Sequence, residues 1–278
     1  MRFGIALGRM HPAMFVEAAT VADELGFESL WFPEHLVLPV EMAGSPFAGA
    51  DHPPVPPSTP VYDVFAYLAF LAGRTDRIRL GTHVYNLGLR HPFVSARAIQ
   101  TVDVVSGGRL EVGIGAGWLE AEWVAAGLDF ATRGARLDEA LAVCRRLWTE
   151  ETVEHHGPFF DFDAVMFEPK PVQVPSPPII IGGESPAALR RAARQDGWIG
   201  LGHTPASVRR PVATLHELRR AGGRSGLPFT VTVGGTVADD REVDAYAAAG
   251  VDRLIVSPWE RTRHVPEALA GFAHRFIG

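Results

Sequence analysis

The sequence predicts an α/β fold, a (β/α)8 TIM barrel with insertion loops after the second and fourth strands, on three observations. Eight short apolar runs recur along the chain, each closed by glycine or polar residues and followed by a helical pattern, the alternation of parallel βαβ units. Two of the runs, Ile179-Ile180-Ile181 and Leu254-Ile255-Val256, are continuous rather than alternating, which marks strands buried on both faces. A chain of 278 residues with 47% apolar content suits one barrel around one core, so residues 1–278 are read as a single domain.

The eight runs are Phe3 to Gly8, Ser29 to Pro33, Ile78 to Tyr85, Leu110 to Gly115, Ile179 to Gly183, Trp198 to Gly202, Phe229 to Gly234 and Leu254 to Ser257. Between the first two, Phe15, Ala18, Ala19, Ala22 and Leu25 share one helical face, and Gly26 stands where a left-handed cap belongs. Thr59-Pro60, Ser185-Pro186 and Thr204-Pro205 each set a capping hydroxyl before a proline, the pattern of a helix start. Two stretches break the repeat. Leu36 to Ser58 is rich in proline and glycine, and Thr152 to Lys170 carries a His156-Gly157-Pro158 turn that predicts a hairpin. Both are expected to cover the active face. An open doubly wound sheet would need a topological switch point, but the Gly-x-Gly-x-Gly stretch, Gly113 to Gly117, sits at the fourth run rather than the first.

Composition narrows the partners. The one cysteine, Cys144, has no internal partner and lies among Leu141, Leu147 and Trp148, which predicts a buried structural thiol and fits a reducing cytoplasm. No apolar run approaches the roughly 20 residues of a membrane span, and no leader precedes the first strand, so a soluble cytoplasmic protein is expected. The net charge of −6 and singly scattered basic residues speak against nucleic acid as a partner.

In such a barrel the functional groups project from the C-terminal ends of the strands. Polar groups there are Glu34 and His35 after the second run, Thr82, His83 and Asn86 after the third, Trp118 and Glu120 after the fourth, and Trp259 after the eighth. Gly182-Gly183-Glu184-Ser185-Pro186 puts two glycines before a helix start, where free N–H groups and the helix dipole would receive a phosphate. A tight turn capped by Ser185 explains the same spacing. His35 is placed to give or take a proton near neutral pH, or to satisfy backbone groups under the covering loop. No HxH or HExxH spacing supports a metal site.

Several further stretches lie in a fixed order: Leu25-Gly26-Phe27-Glu28-Ser29-Leu30-Trp31 with Glu34-His35, Leu80-Gly81-Thr82 with Arg90-His91-Pro92, Ser106-Gly107-Gly108-Arg109-Leu110, and Gly113-Ile114-Gly115-Ala116-Gly117-Trp118. Arg133-Gly134, Leu137-Asp138-Glu139-Ala140, Leu147-Trp148, Pro169-Lys170-Pro171-Val172-Gln173 and Pro178-Ile179-Ile180-Ile181-Gly182-Gly183 follow. Together they resemble the luciferase-like monooxygenase family, in particular its branch using the deazaflavin coenzyme F420. The resemblance implies a cofactor at the C-terminal mouth. Its phosphate would lie on Gly182, Gly183, Ser185 and Pro186, and its ring near Glu34, Thr82, His83, Val84, Asn86, Gly115, Ala116 and Gly117. It also implies a cis peptide at His83-Val84, a proton-donating His35, and a homodimer.

Trp118 stands where sugar-phosphate dehydrogenases of that branch carry a catalytic glutamate, the nearest carboxylate being Glu120, which argues against sugar-phosphate oxidation. Trp118, Glu120 and Trp259 are therefore expected to line a pocket for a larger, less polar substrate. The expected function is F420-dependent hydride transfer to or from a small organic substrate, with His35 as the catalytic proton carrier. An FMN-dependent monooxygenase with a separate reductase shares the phosphate seat, and a non-catalytic cofactor-binding protein is the alternative of another class. A sugar-phosphate isomerase should show a lysine or glutamate base at a strand end, and the only lysine is Lys170.

Overall fold

A computed structural model describes residues 1–47 and 54–278. Eight parallel strands close into a barrel: β1 (Arg2–Ala6), β2 (Ser29–Phe32), β3 (Arg79–Thr82), β4 (Leu110–Ile114), β7 (Ile179–Gly182), β8 (Gly197–Gly202), β9 (Thr230–Gly234) and β10 (Arg253–Val256). Each falls within or overlaps one of the eight apolar runs. Closure is made by β1, which pairs with β2 on one side and β10 on the other. An antiparallel hairpin, β5 (Thr152–His156) and β6 (Asp161–Met166), stands outside the barrel.

The helices packed around it are α1 (Phe15–Glu24), α2 (Val64–Ala72), α3 (Pro92–Val105), α4 (Glu120–Ala125), α5 (Arg133–Thr149), α6 (Pro186–Ala192), α7 (Arg209–Ala221), α8 (Asp240–Ala248) and α9 (Val265–Phe276). Gly26 ends α1 with φ +80°, and Ser185 caps α6 by accepting from the Ala188 N–H at 3.2 Å. Two expected helix starts move. Asp63, not Thr59, caps α2 through the Ala66 N–H at 2.8 Å, since the apolar run begins there and aspartate caps as well as a hydroxyl. Thr204 closes a turn by accepting from the Ser207 N–H, and α7 begins only at Arg209.

The excursion at 36–58 lies partly outside the described residues. The hairpin does not cover the mouth as expected. It follows the C-terminus of α5, which delivers the chain to the end of the barrel opposite the mouth, and it then lies along α5 and α3. Glu139 of α5 accepts from the Phe159 and Phe160 N–H groups and pairs with His155, and Phe162 packs on Phe93. Lys170 then caps α5 by donating to the carbonyls of Leu147 and Glu150. Among the described residues no helix is long and apolar enough to cross a membrane.

The interior of the barrel has two layers. Toward the mouth, Trp31, Ile180, Ile199 and Ile255 pack together with Ala6 and Val84 against them. At the N-terminal end the filling is ionic. Fully buried Arg253 donates to both oxygens of Glu28 at 2.6 Å and to both of Glu111 at 2.8 and 2.9 Å, and it lies 5.2 Å from the Trp31 ring. Arg79 also donates to Glu111. Burial pushes the Glu111 carboxyl up, but Arg253 and Arg79 outweigh it and hold the group below the usual carboxylate range.

Outside the barrel, buried Asp23 of α1 accepts from the N–H groups of Asp76, Arg77 and Ile78 at 2.7, 3.0 and 2.7 Å, fixing the entry to β3. Burial raises its pKa, yet these three donors and Arg77 prevail and lower it.

Removing one partner of a buried ion pair strands the other, so Glu111→Ala should destabilise the protein by about 3–5 kcal/mol, read from urea unfolding. Asp23 is a carboxylate with a lowered folded pKa. Its stabilisation is therefore present above the unfolded value of about 4 and lost as pH falls through the folded one. The stability gap between wild type and Asp23→Asn should be widest near neutral pH and shrink on acidification, measured by denaturation across that range.

Candidate active site

The ends of β2, β3, β4 and β7 bring most of the expected residues to one mouth. His35 lies three residues beyond β2. Its Nδ1 is 3.1 Å from Oε2 of Glu122, whose side chain is fully buried, while the His35 side chain is 16% exposed. The other oxygen of Glu122 accepts from the Leu36 N–H at 2.6 Å and the Val37 N–H at 3.4 Å. A carboxylate only accepts, so it selects the tautomer with hydrogen on Nδ1 and leaves Nε2 as the basic nitrogen for proton exchange. Trp118 stands edge-on to the imidazole, ring centres 5.9 Å apart.

Glu34, next in sequence, has a different duty. Its oxygens accept from Arg90 at 2.6 Å and the Asn86 N–H at 3.0 Å. Its side chain is 1% exposed, and burial raises its pKa despite Arg90. It secures the loop after β3 rather than offering itself to a ligand.

That loop carries a cis His83-Val84 bond, as the resemblance implies. Thr82 is sealed by its bond to the Gly113 carbonyl. His83 is drawn down to about 4 by burial and is neutral at physiological pH, and its Nε2 is buried with no partner among the described residues. Val84 reaches across the mouth: a β-carbon on Gly115 would lie 2.6 Å from its Cγ2, and one on Gly182 2.8 Å from its Cγ1. At Gly117, φ +82°, the same space is taken by Trp123. Gly115 and Gly117 thus make room for the protein's own Val84 and Trp123.

Beyond β7, Gly183 has φ +103°, and Trp198 donates to its carbonyl at 2.9 Å. The N–H groups of Gly183, Glu184 and Ser185 donate to no described residue. Glu184 is drawn aside by His203, 2.8 Å away, and that bond lowers its pKa, so its charge is engaged away from these donors. A β-carbon on Gly202, at the end of β8, would meet nothing within 4 Å. Main chain is therefore bare here, with Pro186 opening α6.

A model of the Luciferase-like monooxygenase family matches residues 2–275. The chain belongs to that family. An uncharacterised protein of Mycobacterium tuberculosis is 34% identical over 251 residues, covering 88% of this chain and 87% of its own length. The fold is shared with a monooxygenase from Streptomyces bottropensis, at TM-score 0.78 and 23% identity over 100% of this chain and 99% of the other. It is shared too with a coenzyme F420-dependent tetrahydromethanopterin reductase from Methanopyrus kandleri, at TM-score 0.80 and 18% identity over 99% and 98%.

Within this luciferase-like barrel two sequence expectations need revision. Glu120 is exposed, and the inward carboxylate of that helix is Glu122. Trp259 is buried and donates from Nε1 to the Arg9 carbonyl at 3.1 Å, tying the loop after β10 to the one after β1. Proximity to the strand end singles out Glu120 in the sequence and passes over Glu122. The signal was present: Glu122 falls three residues after Leu119 and beside Trp123, on the buried face of α4 where a carboxylate is out of place. Among the described residues no group of three or more His, Cys, Asp or Glu side chains could hold a metal ion.

Glu122→Ala would remove the charged acceptor of the Leu36 N–H and should destabilise by about 1–3 kcal/mol. Glu122→Gln keeps an acceptor for Leu36 and should lose less. Chemical denaturation of the two variants side by side measures the difference.

Proposed function

We propose that this protein is a coenzyme F420-dependent oxidoreductase, exchanging hydride with a carbon of a small organic substrate while His35 carries the accompanying proton. The observation that carries this reading is the His35–Glu122 pair at the barrel mouth. Hydride transfer at a carbonyl or alcohol carbon requires one proton to be delivered or removed at the oxygen, and a tautomer-locked imidazole beside an apolar wall suits that task. Glu122 is the positioning residue, holding Nδ1 so that Nε2 meets the substrate oxygen. Likeness in fold to an F420-dependent reductase supports the cofactor class.

The residues present fit such a cofactor. Val84, backed by Trp31, Ile180, Ile199 and Ile255, gives a flat apolar floor for a ring. The Nε2 of His83, buried and without a partner among the described residues, is an unsatisfied polar atom of the kind a ring-edge group would satisfy. The bare N–H groups from Gly183 to Ser185 suit a phosphate. When bound, the deazaflavin supplies the hydride chemistry. Neutral His83 serves as a hydrogen-bonding group and not as an acid, and Trp118 shields the His35 ring from water.

Side-by-side fluorescence titration with F420 and FMN tests the reading. A charge at Gly183 would be confounded by its positive φ, so the seat is better probed with Ser185→Asp, which still caps α6. F420 should bind more tightly than FMN, and Ser185→Asp should weaken F420 by about tenfold, roughly 1.4 kcal/mol. His35→Ala should lower turnover across a panel of small carbonyl compounds roughly 10²- to 10⁴-fold while F420 affinity is kept. A preference for FMN would make the protein an oxygen-using monooxygenase instead, and binding of neither would overturn the cofactor assignment.

A further inference from the structure

The loops after β1 and β10 form one rim of the mouth. Trp259 donates to the Arg9 carbonyl at 3.1 Å, and the His11 N–H donates to the Thr262 hydroxyl at 3.2 Å, so the two loops are laced together although 250 residues of chain separate Arg9 from Trp259. The same rim touches the His35 side of the mouth. A β-carbon on Gly8 would lie 2.7 Å from Cγ of Pro33. Arg9 is one residue past Gly8, about 3.8 Å along the chain, and His35 is two residues past Pro33, at most about 7 Å.

Charge on this rim is one-sided. Arg9, Arg261 and Arg263 are exposed, and Glu260 is the one carboxylate in the stretches 7–14 and 257–264. Arg9 and Arg261 make no side-chain hydrogen bond or ion pair with any described residue, and Arg263 donates only to the ring Nε2 of His264, at 3.1 Å. The mouth's Glu34, Glu122 and Glu184 are each matched already, by Arg90, His35 and His203. Three guanidiniums against one carboxylate leave the rim positive on a chain of net charge −6, a local reversal that draws anions to the opening. The barrel order adds a division of space. Round the sheet, β1 and β10 lie between β2 and β9, whereas the residues that fit a cofactor stand on or beside β2, β3, β4 and β7. The arc over β1 and β10 is what such a cofactor leaves to the substrate.

We propose that this arc binds an anionic group of the substrate, with Arg9, Arg261 and Arg263 as its ligands. The substrates are then organic acids that turn a carbonyl or alcohol carbon toward His35 and rest their carboxylate on the rim. The inference relies on the hydride-transfer reading for what happens at that carbon. Guanidinium forks donate paired N–H groups to a carboxylate, and Trp118 beside His35 offers an apolar wall to the carbons between the two ends. The less polar substrate expected from the sequence becomes an amphipathic one, apolar along its length and charged at one end.

Calorimetric titration of the full-length protein, F420-loaded and cofactor-free, with a panel of straight-chain oxo acids and their methyl esters tests the assignment. At low salt the best-fitting acid should bind about tenfold more tightly than its ester, roughly what three exposed ion pairs supply together, and high salt should erode the gap. Arg9→Gln, Arg261→Gln and Arg263→Gln combined should bring the acid down to its ester's affinity. Arg261→Glu with Arg263→Glu should make the ester the better ligand. If no acid in the panel outbinds its ester, or if the gap survives the triple variant, the rim assignment is overturned. Turnover separates this from the cofactor reading. A rim that selects acids, none of which oxidises reduced F420, sinks the deazaflavin reading alone, and acid and ester turned over with equal KM overturn the rim alone.

Discussion

The grip of Arg253 on Glu28 and Glu111 is the constraint on which the barrel and its mouth depend. A closed parallel sheet needs an interior filled from several strands at once, and here one guanidinium from β10 reaches carboxylates just before β2 and within β4, plus Thr232 of β9 at 3.3 Å. It also supports the Trp31 ring from below. Trp31 in turn lies edge-on to His83, ring centres 6.5 Å apart, and packs in the layer that carries Val84. The ionic base, the indole and the His83-Val84 segment form one column, so the height of the floor at the mouth is set from the opposite end of the barrel.

Around that column, neighbouring ionisable residues are driven to different roles by what surrounds them. Glu34 and His35 are adjacent in sequence, yet Glu34 is sealed against Arg90 and the Asn86 N–H while His35 remains partly open beside Glu122. His83 is kept uncharged by burial alone. The two histidines are thereby set apart, one partly open beside a carboxylate and the other kept neutral by burial, a division made by solvation and partner rather than by residue type.

The eight strands were legible because strands buried on both faces must read as apolar runs, and Gly26 and Ser185 because positive φ and capping each favour few residue types. The end of strand two likewise marked His35. What could not be read were matters of space. Gly115 and Gly117 announce room without saying whether a ligand or Val84 and Trp123 will fill it. Glu122 is joined to His35 across 87 residues of chain, and local spacing does not encode that meeting. The hairpin was recognised from its turn but placed wrongly, since its position follows from leaving a helix rather than a strand. The basic rim arises from residues at opposite ends of the chain that look unremarkable when read one at a time.

Cys144 lies in α5 with no exposure, its Sγ 3.7 Å from the Pro92 carbonyl, and burial pushes its thiol well above the usual range. The reactive species of a cysteine is the thiolate, so in the closed barrel this side chain is shut off from both reagent and ionisation. As it is the one thiol in the chain, covalent labelling by a thiol reagent becomes a clock for the opening of the α3–α5 flank. An oxidant at the barrel mouth finds no sulfhydryl there to damage, since Cys144 is buried in α5.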